Sequence, residues 1–116
     1  MYEVIFYTTQ RGDCPVDEFL DELQTKVRAK VLKWIEQLER EGPNLPRPYA
    51  DVVQGKIREL RVGFASNHYR FLYFFHGKKI VITHGFMKKT TKVPLPEIER
   101  AQKSMDDFLE RHKGGL

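Results

Sequence analysis

Three strand-like segments follow one another closely after Gly55, and they constrain the fold of this 116-residue chain more than any other feature. They read KIRELRVGF, HYRFLYFF and KIVITHGF, and they are rich in β-branched and aromatic residues. The middle segment is aromatic or aliphatic at every position from Tyr69 to Phe75 except Arg70. A strand of this composition must be largely covered on both faces. The short connection HGKK predicts that the second and third segments are antiparallel neighbours.

The remaining segments supply one further strand and three helices. Residues Tyr2 to Thr8 predict a strand, while PVDEFLDEL and the segment from Thr25 to about Glu41 have apolar residues at helical spacing and predict a helical hairpin. The segment GPNLPRPYADVVQG contains three prolines and predicts a loop, and a last helix begins near Pro96. The predicted order is β-α-α-β-β-β-α. This is an α+β fold with a small antiparallel-rich sheet, in a single domain over residues 1–116.

The composition excludes several classes of chemistry. Cys14 is the only cysteine, so an internal disulfide is excluded, and no Cys/His cluster has metal-ligand spacing. The sequence also lacks a Gly-rich phosphate loop and a Gly-x-Ser-x-Gly motif. We therefore expect no metal and no cofactor. No basic segment precedes an apolar run at the N-terminus and no stretch approaches about 18 apolar residues, so we expect a cytoplasmic protein without membrane association.

Positive charge is concentrated in the C-terminal half of the chain. The net charge is −3 over residues 1–55 and +7 over residues 56–116, and between Lys56 and Lys92 Glu59 is the only acid among nine lysines and arginines. The segment GFMKKTTK ends the third strand-like segment with three lysines and no nearby acid. A cluster of one sign indicates an anionic partner, and binding to a phosphate backbone would then weaken as salt rises. A basic surface that serves only solubility is the alternative.

The first two strand-like segments, KIRELRVGF and HYRFLYFF, contain three candidate site residues. Arg70 interrupts the most apolar segment, where a charged side chain must be paired or open onto a cleft, and its planar group suits two phosphate oxygens. In RELR, Glu59 and Arg61 are two residues apart and share one strand face, while Arg58 and Leu60 share the other. Glu59 is predicted either to act as a base or only to orient the arginines.

An RNA substrate would suit this set of residues. Cleavage by the ribose 2′-hydroxyl needs a base, an acid and cations that stabilise the charge developing on phosphorus. His84 titrates near neutrality, but its apolar neighbours favour a buried, hydrogen-bonded histidine. A two- or four-residue turn would place Arg70 opposite Gly85, and a three-residue turn would place it opposite His84. The predicted RNA-binding residues are Lys56, Arg58, Tyr69, Lys88 and Lys92, with Tyr69 able to stack on a base or to lie in the core.

The order and spacing of several short motifs carry a family resemblance. These are ELR, YRFLYFF, IVITHGFMKKTTK and the closing EIERA, preceded by the helical hairpin. Together they resemble the phage-derived HigB-like branch of the RelE/ParE superfamily of toxins, over nearly the whole chain. The resemblance implies a toxin that enters the ribosomal A site and cuts mRNA there without a metal. It also implies neutralisation by a cognate antitoxin, usually a helix-turn-helix protein.

The resemblance also assigns site residues. By position, Arg61, Arg70, His84, Lys88 and Lys89 match residues that hold and polarise the scissile phosphate in these toxins. Some relatives carry a catalytic tyrosine after the last strand, where this chain has Met87 and lysines, so Glu59, His84 and Lys89 all stay open as base or acid. Because the superfamily also contains gyrase poisons, the alternative function is a non-nuclease toxin or a phage-derived nucleic-acid-binding module.

Overall fold

A computed structural model describes residues 1–113 of the chain and shows an α+β protein built on one five-stranded mixed sheet. The strands are β1 (Glu3–Phe6), β2 (Ala50–Gln54), β3 (Ile57–Phe64), β4 (Asn67–His76) and β5 (Lys79–Lys88). The helices are α1 (Pro15–Asp21), α2 (Thr25–Glu41) and α3 (Leu95–Arg111), with a 3-10 turn at Gly42–Asn44. The predicted α+β class is confirmed.

The sheet order is β1-β5-β4-β3-β2, so the aromatic strand β4 lies at its centre, as its composition predicts. Only β1 runs parallel to its neighbour, β5, and the other pairs are antiparallel. Helices α1 and α2 cover one face of the sheet, where Val16, Val31 and Leu38 pack against β3, β4 and β5. Helix α3 covers part of the other face with Ala101, Met105 and Phe108. Both faces of β4 are therefore buried.

The predicted loop before the second half of the chain is partly wrong, because it contains strand β2. The prolines that indicate a loop end at Pro48, and the following residues, Ala50–Gln54, pair with β3. Gly55 has a positive φ of 56° and, with Lys56, closes the β2–β3 hairpin. The extra strand places Asp51 directly opposite Glu59.

The pairing register of β4 and β5 near Arg70 differs from both predicted registers, although the turn has one of the predicted lengths. The turn has two residues, Gly77 and Lys78, and begins with His76 opposite Lys79. The pairing then shifts by one residue between Tyr73–Ile82 and Leu72–His84, which is the signature of a β-bulge. Arg70 therefore lies opposite Phe86 rather than Gly85 or His84. No turn-like sequence marks a bulge in the interior of a strand, so the sequence did not indicate this register shift.

Within residues 1–113, none of the helices combines the length and the hydropathy that crossing a membrane requires.

Candidate anion-binding site

Two arginines and one glutamate meet on the α3 side of the sheet. Arg61 on β3 and Arg70 on β4 are directly opposite each other in the antiparallel pairing. Glu59, two residues before Arg61, shares the same strand face, as the sequence predicts. Its Oε2 accepts a hydrogen bond from Arg61 Nη2 at 3.1 Å, and its Oε1 lies 3.0 Å from Arg70 Nε. One carboxylate thus contacts both guanidinium groups.

Burial makes this pairing necessary. Only 4% of Glu59 and 9% of Arg70 are exposed, and a charge so shielded from water is destabilising unless an opposite charge compensates it. Like charges directly across two strands also repel each other. Burial lowers the pKa of Arg70, and the neighbouring charge of Arg61 lowers it further, while Glu59 opposes both effects. Glu59 is therefore the counter-ion that allows two arginines to face each other.

The hydrogen bonds of the cluster are incomplete. Arg70 Nη1 donates to the carbonyl of Tyr69 at 3.1 Å. The Nε–H of Arg70 does not point at Glu59 Oε1, and among residues 1–113 neither atom has a hydrogen-bond partner. The same is true of Arg61 Nε. Buried polar atoms are rarely left unpaired, and such groups often mark functional sites. The cluster is thus held by charge more than by directed bonds.

A second acid, Asp51 on β2, completes the ring of charges and was missed by the sequence analysis. Its Oδ2 lies 3.4 Å from Arg61 Nη2 and 2.9 Å from Arg47 Nε. The backbone N–H of Val52 and the nearby Arg47 lower the pKa of the Asp51 carboxyl. The signal that could have revealed it is the β-like run ADVVQ before Gly55, which pairs Asp51 with Glu59 once it is treated as a strand.

Two adjoining clefts open over this cluster. The larger, about 540 Å³, contains Arg70, Lys89 and the polar residues Asn67 and His68. The smaller, about 280 Å³, contains Glu59, Arg61, Lys92 and apolar side chains from β2 and the start of α3. Lys88 and Thr91 line both clefts and form the boundary between them. The predicted cations therefore line two adjoining clefts rather than a single one, with Arg70 and Lys89 in the larger, Arg61 and Lys92 in the smaller, and Lys88 in both.

Lys88 lines both clefts and is near enough to the two arginines for their charges to affect its pKa. Burial lowers its pKa, and the positive charges of Arg70 and Arg61 lower it further, against the effect of Glu59. Lys89 and Lys92 are exposed in the segment that joins β5 to α3, where the Thr90 hydroxyl donates to the carbonyl of Lys92 at 2.6 Å. The site therefore combines partly buried cations on the strands with exposed lysines in the segment between β5 and α3.

Three predicted RNA-binding residues lie elsewhere. Tyr69 is 3% exposed and packs beside Phe19 in the core under α1 and α2, so the predicted base stacking on Tyr69 is contradicted by its position. Arg58 projects from the opposite face of β3, with its Cζ 5.8 Å from the Phe75 ring centre. Lys56 is exposed in the β2–β3 turn and lines neither cleft. Strand alternation places Arg58 and Arg61 on opposite faces of β3, so the spacing in the sequence already argues against Arg58 as part of the same RNA-binding surface.

His84 is a buried structural group rather than one facing the clefts. It is 1% exposed, with Nδ1 3.0 Å from the Thr83 hydroxyl and Nε2 2.9 Å from Glu97 Oε1 on α3. Burial and the charge of Arg100 lower its pKa, against the hydrogen bond with Glu97. Of the two roles that the sequence left open for His84, the structure shows the buried, hydrogen-bonded histidine, and His84 lines neither cleft.

A larger cleft of about 720 Å³ lies on the other side of the molecule, between α2 and the segment before β2. Its floor is Trp34, whose ring stacks on that of Tyr49 at a centroid distance of 4.6 Å. Its charged residues are Lys30, Lys33 and Glu41, and neither Arg61 nor Arg70 lines it. Size alone therefore does not identify the site. Within residues 1–113, no His, Cys, Asp and Glu side chains form a group suited to a metal ion.

The fold and the site define a small α+β protein with two adjoining clefts lined by arginines and lysines. The sequence model of the family described as phage-derived protein Gp49-like (DUF891) matches residues 18–106, and the chain belongs to this family. The matched range contains all the arginines and lysines of the two clefts. No curated protein matches the chain.

Proposed function

We propose that this protein is the toxin of a type II toxin–antitoxin system and an endoribonuclease that cuts ribosome-bound mRNA. The observation that carries the proposal is that Arg61 and Arg70 lie directly opposite each other and line two adjoining clefts, with Lys88 lining both. Membership of a phage-derived, toxin-like family supports the toxin assignment. The proposed cleavage does not require a metal ion, since guanidinium and ammonium groups can stabilise the charge that develops on phosphorus.

In this proposal the cleft binds one phosphodiester of a single-stranded RNA. Arg70 and Lys88 hold its non-bridging oxygens, and Arg61 adds positive charge from the neighbouring cleft. The ribose 2′-oxygen attacks phosphorus while the bond from phosphorus to the 5′-oxygen breaks, which leaves a 2′,3′-cyclic phosphate and a 5′-hydroxyl. The proton of the 2′-hydroxyl passes to water in the open cleft. The leaving oxygen takes a proton from Lys88, whose lowered pKa makes its ammonium a better acid than that of an exposed lysine.

Glu59 serves as the orienting counter-ion rather than as the base in this proposal. Its Oε1 is buried and faces Arg70, and its Oε2 accepts from Arg61, so neither oxygen is presented to a ribose.

Lys89 and Lys92 extend the positive surface to the flanking phosphates. Partners in this proposal are the ribosomal A site with its mRNA in the cytoplasm, and a cognate helix-turn-helix antitoxin that prevents cleavage.

Induced expression in a bacterial host tests the proposal. We expect the parent chain to arrest growth and Arg70→Ala to relieve the arrest while the purified variant stays folded. Arg58→Ala is the matched control, because it removes an arginine from the opposite face of the neighbouring strand. Primer extension on mRNAs from the arrested cells should show cuts within translated codons. Full toxicity of Arg70→Ala, with folding intact, would rule out the assigned site.

A second candidate function is binding without cleavage, as a gyrase poison or a nucleic-acid-binding accessory protein. The observation that favours it is the burial of His84 and of Glu59 Oε1, the two groups best suited to take a proton. The same primer-extension experiment separates the two functions. Growth arrest with intact message, and with loss of arrest in Arg70→Ala, would support binding alone.

A further inference from the structure

The segment that carries Lys89 and Lys92 is a short connection whose two ends are anchored differently. At its first end, β5 pairs with β4, with His68 opposite Lys88. At its other end, α3 begins at Leu95, and Glu97 in the first turn contacts His84 on β5 at 2.9 Å. The His84–Glu97 contact thus closes a loop of chain around the lysines.

His84 is held rigidly enough to serve as an anchor. Its ring is buried between the sheet and α3, tilted against the ring of Phe86 at a centroid distance of 5.9 Å. A neutral ring, which burial favours, carries its proton on Nε2 and donates it to Glu97. Nδ1 lies 3.0 Å from the oxygen of the Thr83 hydroxyl, which donates to the carbonyl of Leu72 at 3.2 Å. The side chain is therefore fixed from both nitrogens.

The anchored turn of α3 is also a wall of the anion site. Ile98, the residue after Glu97, lines the smaller cleft together with Val93, Arg61 and Lys88. The position of this turn consequently sets the distance between the arginine floor and the lysine segment. Neither His84 nor Glu97 lines either cleft. Any effect of this pair on a bound anion must therefore act through the segment it positions.

We propose that Glu97 and His84 are positioning residues, which hold the lysine segment over the arginine cluster so that both contact one phosphodiester. This inference rests on the proposed RNA-binding function. For the removal of Glu97, the inference predicts a change in RNA affinity opposite to the one expected from net charge alone. Removing the negative charge of Glu97 should strengthen RNA binding if only the overall potential matters. Binding weakens instead if the hydrogen bond to His84 is what positions the lysines.

The experiment compares Glu97→Ala, Glu97→Gln and Glu99→Ala in the full chain. Glu97→Gln loses the charge but keeps an oxygen that accepts from His84, and Glu99→Ala removes the same charge from an exposed neighbouring position. The probe is a single-stranded 2′-O-methyl RNA oligonucleotide, which lacks the attacking hydroxyl, and affinity is read from fluorescence anisotropy. Hydrogen exchange of residues 89–93 is measured in parallel.

We expect Glu97→Ala to bind about tenfold more weakly and to exchange faster in the lysine segment. Glu97→Gln should restore both properties, and Glu99→Ala should bind as the parent does or slightly more tightly. Thr83→Val, which removes no charge, should weaken binding in the same direction as Glu97→Ala. Binding by Glu97→Ala as tight as by Glu99→Ala, with unchanged exchange, would overturn the inference. If Arg70→Ala also binds normally, the proposed RNA site itself has failed, whereas normal binding by Glu97→Ala alone refutes only the positioning role.

Discussion

Arg61 and Arg70 face each other directly across strands β3 and β4, and the carboxylate of Glu59 contacts both of them. Two guanidinium groups in this arrangement repel each other, so the pair is stable only with an anion beside it. In the free protein that anion is a side chain. A phosphodiester in the adjoining clefts would be a second anion for the same two groups. The arginines could therefore bind a phosphate in addition to Glu59.

The first prediction concerns Glu59→Gln. The substitution keeps the side-chain shape but removes the carboxylate that lies beside the buried Arg70, while Arg61 keeps Asp51 at 3.4 Å. We expect the free energy of unfolding to fall by about 1–3 kcal/mol in chloride buffer at low salt. Sulfate should raise the melting temperature of the variant more than that of the parent chain, because it supplies the missing anion. Equal sulfate effects on the two proteins would show that Glu59 does not compensate the arginines.

The sequence predicted the parts of this site that depend on strand alternation. The spacing of Glu59 and Arg61 places both on one face of β3 without any knowledge of the fold. The aromatic composition of β4 placed Arg70 in a covered strand, where a charged side chain needs a partner or a cleft. Placing the lysines beside Arg70 required only that β5 return along β4, which the short turn makes necessary.

Other parts depend on registers that local sequence does not encode. The bulge between Ile82 and His84 decides that Arg70 lies opposite Phe86. Strand β2 was hidden by the prolines before it, and Asp51 was missed with it. Glu97 approaches His84 only because α3 folds back over the sheet, a contact between residues 13 apart that no periodicity predicts.

A second prediction uses the two arginines on opposite faces of β3. Arg61→Ala should weaken binding of a single-stranded RNA about five- to tenfold at low salt and reduce the salt dependence of the binding constant by roughly one charge. Arg58→Ala should leave both quantities near those of the parent, because Arg58 packs over Phe75 on the far side of the sheet. Titrations at several salt concentrations measure this. Equal losses in the two variants would mean that binding follows net charge and not the cleft.

A third prediction concerns the close packing behind the site at Gly85. A Cβ at this position would lie 2.5 Å from the ring of Phe71 and 2.9 Å from that of Phe19. Both neighbours are core side chains, so we expect Gly85→Ala to lower the free energy of unfolding by about 1–3 kcal/mol. Gly63→Ala is the control, since the nearest atom to its added Cβ is 4.0 Å away. Chemical denaturation compares the two, and equal stabilities would show that β5 can move away from β4 at little cost.

The last prediction follows from the lowered pKa of Lys88. Burial and the neighbouring arginines lower this pKa below the usual value of 10.5, so the ammonium loses its proton at a lower pH than an exposed lysine does. RNA affinity should therefore fall as the pH rises through the folded-state pKa of Lys88. Protein stability should change in the opposite sense, rising between that pKa and 10.5, because the charged form is the one that the fold disfavours.

Lys88→Arg tests this assignment, because a guanidinium keeps its charge throughout the alkaline range. The RNA affinity of the variant should change less with rising pH than that of the parent chain over the range in which Lys88 loses its proton. Lys103→Arg, on an exposed face of α3, provides the matched control and should keep the pH profile of the parent. Anisotropy titrations between neutral and alkaline pH give the profiles. If Lys88→Arg and the parent weaken at the same pH, the titrating group lies elsewhere, and Lys88 is not the cation that connects the two clefts.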